Sequence, residues 1–326
     1  MANIEEIKAE RPLLEIGKRI PEFARMGWEE IPEDDRDVRL KWYGVFHRKQ
    51  TPGHFMMRIR IPNGIAGAEQ VRTLAGIANE FGRGAIDITT RQQVQLRWIR
   101  IENVPEIIDR LGSAGLLTLQ TGMDNIRNLA GCPVAGLTPT ELFDASPVVQ
   151  TFNEMFVGNP EFVNLPRKMN ITITGCLDNC THAETQDIAL VPATKQRGSE
   201  TVAGFNVLVG GKMGSGGYSI AQPLAFVEPA DAPRLLATIV LLFRDFGPRE
   251  ARNRSRLAFL IEDWGLDRFK AAVEDSLERS LEPPGEDART GTTDHIGVFR
   301  QRDDRMYYVG LLVPMGRTNG GQLLEI

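Results

Sequence analysis

Phe55-Met56-Met57-Arg58-Ile59-Arg60-Ile61-Pro62-Asn63-Gly64 places apolar side chains at every second position from Phe55 to Ile61 and then stops at Pro-Asn-Gly. That is the pattern of a half-buried strand running into a turn. Tyr307-Tyr308-Val309-Gly310-Leu311-Leu312-Val313-Pro314-Met315-Gly316 reads the same way, and the two stretches stay in register through Pro62/Pro314, Gly64/Gly316, Gln70/Gln322 and Val71/Leu323. Upstream, Gly44-Val45-Phe46 answers Gly297-Val298-Phe299. A repeat of this length predicts a duplicated structural unit. The first copy runs on to about residue 120, whereas the second reaches Ile326 on what should be the first turns of its first helix. The expected reading is therefore a fragment, in which any site needing the second half of the duplication is incomplete.

Working outward, residues 41–120 read as one α+β unit. Val71, Leu74, Ile77, Ala78 and Phe81 mark one face of a helix that Gly82 or Gly84 can end. Ile86–Ile101 reads as a strand, Val104–Leu111 as a short helix and Leu116–Gln120 as another strand, which together predict a ferredoxin-like half-domain. Residues 1–40 read as a charged helical arm. Residues 121–282 predict a mixed α/β domain, with a helix over 139–156, strands over 168–174, 187–191 and 205–209, and helices over 231–246, 250–264 and 266–281. Residues 283–326 read as a polar, Pro-containing linker and a truncated second half-domain.

The 326 residues can hold two domains with real cores, and 42% apolar with 25% charged residues is ordinary for a globular protein. A net charge of −5 argues against general nucleic-acid binding. The run Leu235–Phe243 is too short to span a bilayer, so no membrane partner is expected. Three cysteines without an apolar leader point to a reducing compartment.

If Ile86, Ile88, Val94, Leu96 and Trp98 face the core, the opposite face carries Asp87, Thr89, Arg91, Gln93, Gln95 and Arg97. Arg58 and Arg60 on the preceding strand would add two more arginines. Each like-charged pair at about 4 Å costs on the order of 4 kcal/mol near a protein surface. Either the side chains splay into water, or they converge on an anion that arginine grips bidentately. Arg127 lies in the polar loop Asp124-Asn125-Ile126-Arg127-Asn128. Lys168 and Asn170 share a face with Thr172 and Thr174 on the next expected strand; such a face can bind a small anion or simply meet solvent.

Cys176-Leu177-Asp178-Asn179-Cys180 leaves Cys132 as the third thiol, so a site with four cysteine ligands is excluded. Zinc held by the three cysteines and His182 would have a non-standard spacing. Buried or unremarkable thiols are the simpler expectation, and no metal ligand is assigned. Gly210-Gly211-Lys212-Met213-Gly214-Ser215-Gly216-Gly217 lacks the order of a phosphate loop and reads as a flexible connection.

Lys41-Trp42-Tyr43-Gly44-Val45-Phe46, Phe55-Met56-Met57-Arg58, Asp87-Ile88-Thr89-Thr90-Arg91-Gln92, Gly122-Met123-Asp124-Asn125-Ile126-Arg127-Asn128 and Leu165-Pro166-Arg167-Lys168-Met169-Asn170 resemble, in order, the N-terminal half of the ferredoxin-dependent nitrite reductases. These belong to the sirohaem nitrite/sulfite reductase family. The resemblance implies a pseudo-twofold fold, with residues 121–282 as a sirohaem-binding domain. It also implies a [4Fe–4S] cluster beside the sirohaem, reduced ferredoxin as electron donor, nitrite as substrate and a cytoplasmic setting. By motif, Arg58, Arg127, Lys168 and Asn170 resemble the residues around the substrate, and Thr89, Arg91 and Gln95 resemble ligands of the sirohaem carboxylates. Arg58, Arg91, Arg127 and Lys168 are then expected on one concave surface. Asn170 stands where sulfite reductases usually carry a second lysine, which favours nitrite; sulfite reduction, or a non-catalytic sirohaem- or ferredoxin-binding fragment, are the alternatives. The family's cluster cysteines come as C-x5-C and C-x3-C in a C-terminal half that this chain does not show. Cys176 and Cys180 resemble the pseudo-symmetric counterpart of that C-x3-C.

Overall fold

The computed structural model describes residues 4–214, 216–303, 305–318 and 322. It is α+β, and its contacts divide the chain into two units, residues 1–128 with 313–326 and residues 129–312. The strands, in chain order, are β1 (Val45–His47), β2 (Phe55–Ile59), β3 (Ile86–Ile88), β4 (Val94–Ile99), β5 (Ile171–Ile173) and β6 (Ile188–Arg197). They continue with β7 (Glu200–Val209), β8 (Gln222–Val227), β9 (Glu286–Asp287), β10 (Gly297–Arg300), β11 (Tyr307–Gly310) and β12 (Arg317–Thr318).

In the first unit the sheet runs β1-β2-β4-β3-β12. Phe55, Met57 and Ile59 on β2 are buried, as their alternation requires, with the helices Ala68–Phe81 and Val104–Ser113 burying Leu74, Ile77, Ile107 and Leu111. The helices Ile4–Glu10 and Ile16–Met26 bury Ile7, Ile20 and Phe23, so these helical amino-terminal residues are built into a core.

The single strand expected over 86–101 is instead a hairpin. β3 and β4 pair antiparallel, Ile86 opposite Leu96 and Asp87 opposite Gln95. Gln92, at φ 56°, makes the turn in a left-handed conformation that normally announces itself with Gly or Asn. Arg97 and Trp98 then oppose Met56 alone, a bulge between the pairs Phe55/Ile99 and Met57/Leu96. Trp98 (φ 60°) is thereby diverted from the core face, and the Arg83 guanidinium lies 4.2 Å from its ring. The strand expected over 116–120 reduces to one bridge, Leu117 to Arg60.

The second unit is built on β5-β6-β7-β8, with β9 on β6. β5 is parallel to β6, and β6 pairs with β7 over ten residues, from Ile188/Val209 to Arg197/Glu200. The apolar run at 235–243 is the inner face of the helix Ala232–Phe246, where Leu236, Ile239, Val240 and Phe243 are buried. The strand expected from Lys168 begins only at Ile171. Lys212 closes the glycine-rich stretch on itself, donating to the carbonyls of Gly216 and Gly217, each at 2.7 Å.

The repeat is visible in the pairing. β1 and β2 pair Val45/Met57, Phe46/Met56 and His47/Phe55. β10 and β11 pair Val298/Val309, Phe299/Tyr308 and Arg300/Tyr307, the same partners when the copies are aligned. Each copy then enters a single 3-10 turn, with Asn63 (φ 56°) and Met315 (φ 54°) left-handed and Gly64 and Gly316 both at φ +68°. The helix expected to follow in the second copy lies, except for Gln322, outside the described residues.

Candidate functional site

In the first unit a lateral row crosses the sheet, because Arg58 pairs with Gln95 and Gln95 with Asp87. Asp87 does not join an anion site. It receives Arg97 and Arg317, which hold its carboxyl below the usual range although burial alone would raise it. Arg60 is also removed from the set. It is 2% exposed and donates to the carbonyls of Leu119, Gln120, Ile126 and Arg127 at 2.8–3.5 Å. Its function is to clamp the 119–127 segment, and the four-arginine face expected from the sequence shrinks accordingly.

Arg58 and Arg127 are brought together, for each donates to the carbonyl of Thr121, at 3.2 and 3.1 Å. Arg127 also donates to Met123 O at 2.9 Å. Arg58 lies 4.5 Å from the centroid of Phe46, and its Nε is buried without a hydrogen-bond partner among the described residues. Burial pushes the Arg58 guanidinium down to about 10, aided by the nearby charges of Arg91 and Arg97. It remains a cation at neutral pH, in a place where an anion would relieve both burdens.

The Arg91 backbone is fixed from two sides. Its N–H donates to Thr89 Oγ1 at 3.3 Å, and its carbonyl accepts from Asn128 Nδ2 at 2.9 Å. Asn128 also grips both backbone groups of Ile61, and buried Asp124 in the same loop meets buried Lys8 at 3.4 Å. These holding residues were missed by sequence reasoning, since buried Asn, Asp and Lys look like ordinary surface polarity in a polar loop.

Lys168 and Asn170 lie in the second unit. Asn170 is 5% exposed, and its N–H donates to Asp187 Oδ2 at 2.6 Å. Arg256 holds that carboxylate by two bonds of 2.8 and 2.6 Å, so the strand entry carrying Lys168 and Asn170 is anchored by a buried fork-to-fork ion pair.

The same unit gathers the cysteines, with Cys132 and Cys176 buried and Cys180 half-buried. Cys132 follows the bridge of Ala130 to Thr172, Cys176 follows β5, and Cys180 precedes a left-handed turn at His182. The ligand atoms of Cys132, Cys176, Cys180 and His295 all lie within 4.8 Å of one another. His295 Nε2 stands 3.4 Å from Cys132 Sγ and 3.7 Å from Cys176 Sγ. His182, the histidine near the thiols in sequence, is exposed and takes no part. Hydrogen bonds from Cys132 and Cys180 pull the Cys176 thiol far down, and the bond to Cys176 holds Cys132 far up.

A family profile described as "Nitrite/Sulfite reductase ferredoxin-like half domain" matches residues 47–114, and one described as "Nitrite and sulphite reductase 4Fe-4S domain" matches residues 122–281. The chain is 46% identical to a ferredoxin–nitrite reductase of Leptolyngbya laminosa over 96% of its own length and 62% of the relative's. It is 42% identical to that of Synechococcus elongatus, over 99% and 64%. The solved structure of Mycobacterium tuberculosis NirA superposes with a TM-score of 0.92 at 32% identity, covering 99% of this chain and 61% of that one. The chain thus spans about three-fifths of the length of the curated relatives it matches.

Proposed function

We propose, from the premise that this chain belongs to the nitrite and sulphite reductase family, that it contributes one wall of a ferredoxin-dependent enzyme reducing nitrite to ammonia. The observation that carries the reading is the pairing of Arg58 and Arg127 on the Thr121 carbonyl, with a buried Arg58 nitrogen left without a hydrogen-bond partner among the described residues. Arg58 and Arg127 would bind the nitrite anion, orient its oxygens and donate hydrogen bonds as oxygen leaves as water, and Lys168 and Asn170 are proposed as substrate residues by their motif. The buried Arg58 donor and the cation Arg91 fit a carboxylate-rimmed porphyrinoid, and Thr89, Arg91 and Gln95 would hold its carboxylates. That group, sirohaem, would supply the iron on which nitrite binds, with electrons arriving singly from reduced ferredoxin. No helix among the described residues is long and apolar enough to cross a membrane.

The test is ferredoxin-dependent nitrite reduction by the protein purified with its sirohaem. Arg58→Gln should raise KM for nitrite and lower kcat/KM roughly 100-fold or more, the scale of losing one well-placed charge-stabilising donor. An unchanged kcat/KM at equal sirohaem content sinks the assignment of Arg58. Asn170→Lys should shift the ratio of nitrite to sulfite turnover toward sulfite, the more highly charged substrate near neutral pH. An unchanged ratio removes Asn170 from specificity.

A further inference from the structure

The four-donor cluster of the second unit is not used by that reading, and its geometry does not match the cofactor that the family profile names. A [4Fe–4S] cube places one protein ligand on each of four irons, so the ligands stand outside a body of four irons and four sulfides. The donor atoms here lie within 4.8 Å of one another, which leaves no room for such a body. They do fit around a single ion. A tetrahedral zinc with Zn–S near 2.3 Å and Zn–N near 2.0 Å requires S···S edges of about 3.8 Å and S···N edges of about 3.5 Å. The two S···N separations are 3.4 and 3.7 Å.

The surroundings belong to a site rather than to a chance meeting of thiols. Cys132 is 1% exposed, Cys176 is fully buried and His295 is 4% exposed. The Asp178 N–H donates to Cys176 Sγ at 3.4 Å, the kind of outer bond that supports a thiolate ligand. Thr174 Oγ1 accepts the Cys176 N–H at 3.0 Å, and Thr293 Oγ1 accepts the His295 N–H at 3.1 Å, which fixes the backbone of two donors. His295 is itself held at φ 55°, and the Gly310 backbone is so close that a Cβ there would lie 1.8 Å from the His295 carbonyl oxygen.

We propose that Cys132, Cys176, Cys180 and His295 form a closed, structural Cys3His site for one zinc ion. All four tetrahedral positions would be filled by protein, so the ion has no open position for substrate and acts by joining three segments: the 130–132 segment after the Ala130 bridge, the 176–180 loop and the 293–295 turn before β10. The assignment stands independently of nitrite reduction, because none of its residues is in the proposed anion site.

The experiment is metal analysis of this chain, produced in reductant and in zinc-supplemented medium. One zinc per chain is expected, without acid-labile sulfide. Cobalt(II) added to the zinc-stripped chain should give tetrahedral ligand-field absorption with thiolate-to-cobalt charge transfer. Cys180→Ser changes the least buried ligand and so is the variant best suited to stay folded. It should weaken cobalt binding by more than the roughly 10–100-fold that loss of an outer partner costs, as should His295→Ala. Zinc should also protect the wild-type thiols from alkylation, a readout that needs no variant. Iron with sulfide, no bound ion, or cobalt spectra unchanged in both variants would each overturn the proposal.

Discussion

Val45, Phe55 and Met57 of the first hairpin are at most 1% exposed, whereas Val298 and Val309, at the places of Val45 and Met57 in the second, are 68% and 60% exposed. The pairing partners are identical, so the difference does not arise within the hairpin. It arises from the next strand. β2 is covered on its far side by β4, while β10 and β11 form a sheet of two among the described residues. Alternation and turn chemistry suffice to set a register; burial is a property of whatever packs on the finished ribbon. The anchor of the second ribbon in its own unit is different in kind: Tyr308 packs against the thiol cluster, and Gly310 lies on the His295 carbonyl.

Truncation at matched places should give the widest contrast. Met57→Ala should cost about 2–5 kcal/mol in chemical denaturation, as a fully buried side chain does, while Val309→Ala should stay within about 0.5 kcal/mol. Equal losses would break the comparison. Next comes the place where one copy has Arg58 and the other Gly310. Gly310→Ala forces its Cβ onto a backbone oxygen that cannot yield as a side chain would, for a loss of about 1–3 kcal/mol. Faster hydrogen exchange over 297–310 is the local readout, and protection at the wild-type level would show that the close approach is absent in solution.

A smaller effect is expected where Ile65 in the first copy becomes Arg317 in the second. Arg317 grips Asp87 but is half exposed, so Arg317→Ile should cost at most about 1 kcal/mol. The Asp87 carboxyl is depressed in the fold, so its contribution is present above the unfolded value of about 3.9 and is lost as pH falls through the folded one. The gap between wild type and variant should therefore be full at pH 7 and close below about pH 4. A gap that persists at pH 2 would assign the stabilisation to packing. The smallest change carries the opposite sign. Met315 is fully exposed and left-handed, as Asn63 is in the first copy. Met315→Asn should stabilise by about 0.5 kcal/mol, because Asn tolerates that conformation better. A raised midpoint at unchanged slope is the expected result, and a lowered one would mean the Met315 side chain has a contact of its own.

The duplication was legible because Pro, Gly and a period of two are local signals. The β3–β4 turn was not, because Gln92 occupies a left-handed position without the residue that usually marks it. The bulge at Trp98 was invisible for a related reason: alternation continues through it in sequence and is broken only by pairing. Of the candidate site, Arg58 and Arg127 were readable as cations, but the fate of Arg60 was not. A charged strand residue reads as exposed unless the carbonyls that receive it are known, and those lie in the 119–127 segment. His295 was missed because its partnership with the cysteines has no spacing rule, and His182 offered a nearer decoy.

The distance along the chain from Cys176 to His295, 119 residues, has a kinetic meaning. Closing a free loop of that length costs about 4 kcal/mol in chain entropy, so the contact cannot form early by chance encounter. It must wait until the sheet between its ends has folded and brought residues 293–295 back. A chain caught before that step carries three thiols with no histidine beside them. A pulse of alkylating reagent during refolding would therefore mark unfinished molecules, and the decay of that labelling would time the last long-range closure of the second unit.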